Sequence, residues 1–398
     1  MTPSPGASRG RNETIDTQSV RSGHHDGGVL RLPAGSGRAQ PAQIVRVVDA
    51  ADWEPAAWDD LALRSDHGEA FQSHGWGELK RGLGWEPLRY VIESSGRPIA
   101  VASIQERPII RRGPLGRFRI HYAPRGPVLL EATPAAATAA LEGLRQIARS
   151  RHSLTLTIDP AWEEGGDLAE ALSQSSFRVA ARDVQVSRTA MIVPLEASEE
   201  AQRGLLGHTT AQDINRAVGL GVSIERIDMA DEPMRERALA DFYDIHAATG
   251  IREGFIVRSR DYELEQWRRL GESGAASLWF AGLGGRDTGA LLLHSGRLLI
   301  YFAAGSREGA DMRRTRANHL LQWRIIRWAV ENGFTGYDMG GVDTQSAPGV
   351  PQDELHPLWN LYLFKRRFGG QAVLRIHAHE YAPSFLAGTA WRLARRFR

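Results

Sequence analysis

Two stretches of this chain are laid out to one plan, and that repetition limits its fold more than any other feature. In the later stretch, residues 277–281, 288–294 and 298–302 read as three short strands separated by turns. A long helical run follows, and a last strand stops at Asp338 before Gly340 and Gly341. In the earlier stretch, residues 89–93 and 99–105 read as a hairpin around Ser95, Gly96, Arg97 and Pro98, and a third strand covers 118–122. An Ala-rich helix over about 133–149 then leads to a strand ending at Asp159, before Pro160. Tyr122 and Asp159 stand 37 residues apart, and so do Tyr301 and Asp338. The same elements in the same order at the same spacing argue for a duplicated mixed α/β unit. A right-handed crossover would make the third and fourth strands of each copy parallel neighbours.

The helix of the later copy is expected to be one long element. Ala317, Leu321, Ile325, Trp328 and Ala329 recur at helical spacing and form an apolar stripe. Arg313, Arg316, Arg324 and Arg327 fall on a neighbouring arc, which reads either as a solvated face or as a contact for a polyanion. With the strand ends facing a cleft, Tyr301 and Asp338 are expected nearer a substrate than the arginines.

The 398 residues divide into an expected disordered tail at 1–42, a first unit at 43–195 and a second at 196–376, with 377–398 returning to the first. A strand at 184–195 is expected to close the first unit. The second opens with the helical word TAQDINRAVGLG and a strand at 222–227, then helices at about 234–249 and 261–270, whose Gly-bearing connection holds Arg252 and Arg258. Net charge is only +2, so an electrostatic argument must rest on where the basic residues sit; the C-terminal word WRLARRFR is locally very basic. Without cysteine there is no disulfide, thiolate metal site or Cys nucleophile, and no metal site is expected, since His24 and His25 read as tail residues. No run approaches the roughly 20 apolar residues that cross a bilayer, and the first residues lack the apolar core of a secretory signal. The cytoplasm is the expected location.

In FQSHGWGELK, residues 71–80, Gln72, Trp76 and Lys80 are four apart and are expected on one face of a helix. A ligand cleft and a Trp covering the stem of a surface Lys both fit that set. Asp159 reads equally as a catalytic carboxylate or as the cap of a strand-to-loop turn before Pro160. Hairpin, strand, helix and strand together resemble the acetyltransferase-type (GNAT) fold. In that fold a Gly-rich run before the long helix holds the pyrophosphate of coenzyme A. Here that run is Arg307, Glu308, Gly309, Ala310, Asp311, with one glycine and two acids, which disfavours an acyl-CoA donor.

The words FQSHGWGELK, HYAPRGPVL, LTIDP, INRAVGLGV, ATGIREGFIVRSRDY, YFAAGS, ANHLLQWRIIRWAVENG, YDMGG and LYLFKRRFGG, spread over residues 65–377, resemble the FemABX aminoacyltransferases of peptidoglycan bridge synthesis. That resemblance implies two tandem acetyltransferase-like domains, no metal and no cofactor. It implies transfer of an amino acid from aminoacyl-tRNA to the stem-peptide amine of a muropeptide precursor, either lipid-linked (lipid II) or nucleotide-linked (UDP-MurNAc-pentapeptide). It further implies that Lys80 and Arg252 contact the precursor's phosphates, that Tyr301 helps bind it, and that Asp159 stands near the acceptor amine; Trp76 is expected to bind substrate from its place on the face with Lys80. By the same likeness Lys365, beside Phe364 in LFKRRFG, sits at the reacting ester, and Arg216 in INRA touches a phosphate or only faces solvent. Asp338 joins the substrate side by the duplication. The C-terminal word, with Phe385, Leu386 and Trp391, reads as a peripheral contact with the inner membrane face, as an RNA contact, or as a plain surface helix. Two other functions stay open: an N-acyltransferase of the same fold with another donor, acting on an exopolysaccharide or other amine, and a non-catalytic RNA-binding protein.

Overall fold

The computed structural model describes residues 44–109, 118–307, 309–384, 387–389 and 391. The expected tail, Phe385, Leu386 and all of the C-terminal word but Trp391 lie outside them. Seven strands carry the first half: β1 (Val45–Asp49), β2 (Glu86–Ser94), β3 (Arg97–Pro108), β4 (Arg119–Ala123), β5 (Val128–Leu129), β6 (Ser153–Ile158) and β7 (Arg178–Val179). β1 to β4 pair antiparallel in sequence order and β6 lies parallel to β4. The second sheet is built from β8 (Thr189–Pro194), β9 (Ser223–Ile227), β10 (Ala276–Gly282), β11 (Thr288–Ser295), β12 (Leu298–Ser306), β13 (Gly336–Gly341) and β14 (Gln371–Leu374). Its order is β14-β8-β13-β12-β11-β10-β9, with β12 and β13 parallel. β15 (His379–Tyr381) then returns to the first sheet, between β6 and β7.

The helices of the first half are α1 (Pro55–Ala62), α2 (His74–Arg81), α3 (Pro134–Ser150) and α4 (Asp167–Ser173). Those of the second are α5 (Glu199–Gly204), α6 (His208–Gly219), α7 (Glu232–Glu253), α8 (Arg260–Glu272), α9 (Met312–Thr315), α10 (Ala317–Glu331) and α11 (Trp359–Arg366). The molecule is thus a mixed α/β protein with two sheets. In each, a hairpin and a third strand lead through a long helix to a parallel fourth strand, the GNAT-type order repeated in tandem.

The crossover helices form for legible reasons. The Thr133 hydroxyl accepts from the Ala136 N–H at 3.2 Å, Pro134 fits the first turn, and Ala137, Ala140, Leu141, Leu144 and Ile147 bury one face of α3 on the first sheet. At Gly143 an added Cβ would come within 2.7 Å of Ile92, so helix and sheet meet where only glycine fits. The later crossover is not one helix. Arg316 takes a left-handed backbone (φ 55°) and donates its N–H to the Met312 carbonyl, which ends α9 and separates it from α10.

Three other expectations change. The strand placed at 184–195 is shorter: β8 stands between β13 and β14 in the second sheet, with Val193 in that sheet's core, and so does not close the first half. Gln72 lies in a short 3-10 turn ahead of α2 and is not on the helix face with Trp76 and Lys80. Its buried side-chain amide instead ties Ser103 and the Pro124 carbonyl together, at 2.7 to 3.1 Å. Arg252 belongs to the last turn of α7, which ends at the left-handed Gly254, and not to the connection.

The segment holding α1 and α2 joins the halves. Trp76 and Leu79 of α2 pack with Phe242, Trp267 and Leu278 in a core under the second sheet, while Trp58 of α1 donates its indole N–H to the Gln72 carbonyl at 2.8 Å. This bracket sets a cleft between the two sheets.

Candidate functional site

The cleft starts from α2. The Ser73 hydroxyl accepts from the Trp76 N–H at 3.3 Å, fixing the first turn, so Trp76 and Lys80 emerge one turn apart on the same side. The Trp76 ring stands edge-on to Phe71 at 4.6 Å. Lys80 Nζ lies 4.3 Å from the Trp76 ring centroid and donates to the Tyr262 hydroxyl of α8 at 2.9 Å. The Arg258 guanidinium lies 5.2 Å from the same Tyr262 ring. Burial, followed by the repulsion of Arg258, pulls the Lys80 pKa down to about 8. No carboxylate is among the groups acting on it. Two positive groups on an aromatic floor without a counter-charge at Lys80 form a seat for an anion.

That seat opens into a cleft of about 600 Å³, whose wall includes Tyr122, Gln185, His246 and Phe302. Behind Tyr122 lies buried Asp159. Its Oδ2 accepts from the Tyr122 hydroxyl at 3.0 Å and from Gln185 Nε2 at 2.7 Å, and its Oδ1 accepts from the Arg125 N–H at 2.7 Å. Burial raises its pKa, opposed by Arg125 and these donors, and burial beside that carboxylate pushes the Tyr122 phenol well up. Asp159 is therefore held by three donors, two of them from residues of the cleft wall.

A second cluster sits at the end of β13. Lys365, in the last turn of α11, is buried and donates to the Gly341 carbonyl at 2.7 Å. Burial lowers its pKa to about 8, opposed by Asp338. Asp338 accepts from the Gly340 N–H at 2.7 Å through Oδ1 and from Arg375 Nη2 at 2.5 Å through Oδ2. Gly340 has φ 84°, and a Cβ there would lie 3.6 Å from both Lys365 Nζ and the Tyr301 carbonyl. Tyr301 is half-buried; its ring stands 6.4 Å from that of Tyr337, and burial raises its pKa. Among the described residues no hydrogen bond joins it to Asp338.

The structure thus gathers Trp76 and Lys80 around one cleft with the Tyr122–Asp159 pair as a wall, and gathers Lys365, Asp338 and the Tyr301 backbone in the other cluster. Phe364 stands apart from the cleft: it packs on His319 at 5.3 Å and Phe368 at 5.2 Å, in the second core. Arg252 bonds Ser306 Oγ and Glu253 Oε1, each at 2.9 Å, and Arg216 is exposed on α6. The arginine arc of the later helix is not a single open face, since Arg316 pairs with Asp213 at 2.9 Å and Arg327 pairs with Glu199. Tyr262, Gln185 and Arg375 are the site residues that sequence reasoning missed. Only Tyr262 carried a signal, one turn beyond Arg258 in IVRSRDY. Among the described residues no His, Asp and Glu group has the arrangement of a metal site.

Comparison with known proteins places this geometry in context. A family model described as the FemAB family matches residues 56–265, and one described as acetyltransferase (GNAT) domain matches 209–346. Two curated Staphylococcus aureus proteins named Lipid II:glycine glycyltransferase are 21% (strain MRSA252) and 22% identical over 399 aligned positions, covering 81% of this chain and 90% of theirs. A crystal structure of FemX superposes with a TM-score of 0.69 at 20% identity, covering 85% of this chain and 98% of that one.

Proposed function

Because the chain belongs to the FemAB family, we propose that it is an acyltransferase that passes an amino acid from aminoacyl-tRNA to the stem-peptide amine of a muropeptide precursor. One observation carries the reading: the Lys80, Arg258 and Tyr262 seat opens beside the Tyr122–Asp159 pair, so an acceptor can leave its phosphates on the cations while its peptide amine reaches past a carboxylate. The relatives named as lipid II glycyltransferases support the same class of acceptor.

The chemistry asked of the protein is modest, because an aminoacyl ester is already activated. The acceptor nitrogen attacks the ester carbonyl, a carbon–nitrogen bond forms, and the carbon–oxygen bond to the ribose breaks. The nitrogen gives up its proton and the departing ribose oxygen gains one. Asp159, buried with a raised pKa, is suited to orient the amine through Tyr122 and Gln185. Lys365, an ammonium beside the backbone of Gly340 and Gly341, is suited to meet the oxyanion of the tetrahedral intermediate. Arg252, on Ser306 at the end of β12, reads as a further phosphate contact that must turn from its present partners, and Trp76 as the floor under Lys80.

An acyl-CoA donor is less well served. The Asp311 carboxylate accepts the Arg314 N–H at 2.9 Å at the start of the later crossover, where a pyrophosphate would need the free amides. A purely RNA-binding role fits poorly with the ion-paired Arg316 and Arg327. The test is transfer of label from aminoacyl-tRNA to a muropeptide precursor. Transfer abolished by ribonuclease is expected; transfer that survives ribonuclease and requires acyl-CoA overturns the reading.

A further inference from the structure

Large apolar side chains scattered singly on a surface need no explanation, but several around one opening do. Ile256 is 94% exposed, the most exposed large apolar side chain among the described residues, and it lines the cleft that holds Lys80. Phe255 (41%), Val184 (48%) and Val186 (74%) line the same cleft, and Ile251 (88%) stands on the last turn of α7 beside them in sequence. They come from two segments far apart in the chain, 184–186 and 251–256, that the fold brings to one mouth. The left-handed Gly254 ends α7 between Ile251 and Phe255, so the chain turns sharply while keeping apolar groups on both sides of the turn.

What covers such a rim is decided by what it surrounds. Inside lies the anion seat of Lys80 and Arg258 over Tyr262. Outside, Arg252 and Arg260 are exposed and held by Glu253 and Asp244, and Asp261 is exposed beside them, so the fringe itself is nearly balanced in charge, while Glu263 is buried and lines the cleft within. Apolar groups at the mouth, cations within and little net charge between match an amphiphile with phosphate at its head and hydrocarbon behind it. A nucleotide-linked ligand would leave Ile251, Ile256 and Val186 in water. We propose that Ile251, Phe255, Ile256, Val184 and Val186 form a membrane-docking rim, so that the cleft receives an acceptor whose phosphates are attached to a lipid chain that stays in the bilayer. This rests on the reading of the cleft as the acceptor site.

The test is flotation of the full-length protein with vesicles of phosphatidylcholine and phosphatidylglycerol. It is run on the wild type, on the double variant Ile251→Asp/Ile256→Asp, and on Val186→Asp from the other segment, each checked for folding by circular dichroism. The wild type is expected to float, and each variant to lose about tenfold in partitioning, since an exposed aliphatic group replaced by a carboxylate removes most of its transfer free energy. Absence of flotation by the wild type overturns the proposal. So does flotation unchanged in both variants, because another segment, such as 392–398, then carries the binding. The outcome is independent of catalysis: transfer to a lipid-free precursor by a protein that ignores vesicles would refute the rim and leave the proposed function standing. Rim-dependent flotation without transfer would do the reverse.

Discussion

Each half carries an Asp 37 positions after a Tyr, just past the end of β6 in the first and within β13 in the second, and uses it differently. In the first half Tyr122 lies opposite Thr157 in the parallel register, two residues short of Asp159, and its hydroxyl bonds that carboxylate. In the second half Asp338 lies opposite Ile300, so the strands are offset and Tyr301 does not bond it; Arg375 does. Equal spacing in sequence therefore does not mean equal geometry, because a few residues of slip along a parallel pair re-aim the side chains at its end. One copy has a carboxylate behind a wall of the cleft, and the other an ion pair that braces a buried lysine.

The sharpest break would come from stability. Asp338→Ala leaves Arg375 buried without its partner and should cost about 3–5 kcal/mol, read from urea unfolding. Asp159→Ala removes an acceptor of three donors and should cost only about 1–3 kcal/mol. The reverse order would end the distinction between brace and site.

Next comes Lys365→Met, which keeps the stem and removes the charge. Turnover should fall about 10²–10³-fold, the loss typical of an oxyanion donor, and an unchanged kcat would remove Lys365 from the chemistry. The Lys80→Met substitution should raise the acceptor KM roughly tenfold to a hundredfold, as loss of a charged contact does, and leave kcat nearly intact. Its pH dependence is the finer test. Lys80 is protonated below its pKa of about 8, so the wild-type KM should climb as pH rises through that value while the variant's stays flat. Smallest of all, Tyr122→Phe should slow transfer by a few-fold, about 1 kcal/mol, while Tyr301→Phe should leave it within about twofold. Equal effects would mean the two tyrosines are equivalent after all.

Much of the fold was legible because its signals are local. Turn residues at 95–98, the capped Ala-rich run from Thr133 and the apolar stripe of α10 each declare an element without reference to the rest. What escaped depends on contacts between distant segments. β8 joins the second sheet because its neighbours are residues 336–341 and 371–374, and nothing within 189–194 says so. Gln72 carries the same spacing as a helix face, but its amide is taken by Ser103 and Pro124. For the site, Trp76 and Lys80 could be picked out from their word alone. Tyr262 had only its place one turn beyond Arg258 to mark it and Gln185 had nothing, since each reaches the cleft from a segment more than a hundred residues away.

The central claim is that the Lys80 cleft and the Lys365 cluster serve one transfer. The most direct measurement is the intact mass of a purified muropeptide precursor after incubation with the protein and a mixture of aminoacyl-tRNAs. The account predicts a gain of one amino-acid residue, abolished by Lys365→Met and, at low precursor concentration, suppressed by Lys80→Met. A precursor of unchanged mass, or a gain equal to an acyl group drawn from coenzyme A, would contradict it.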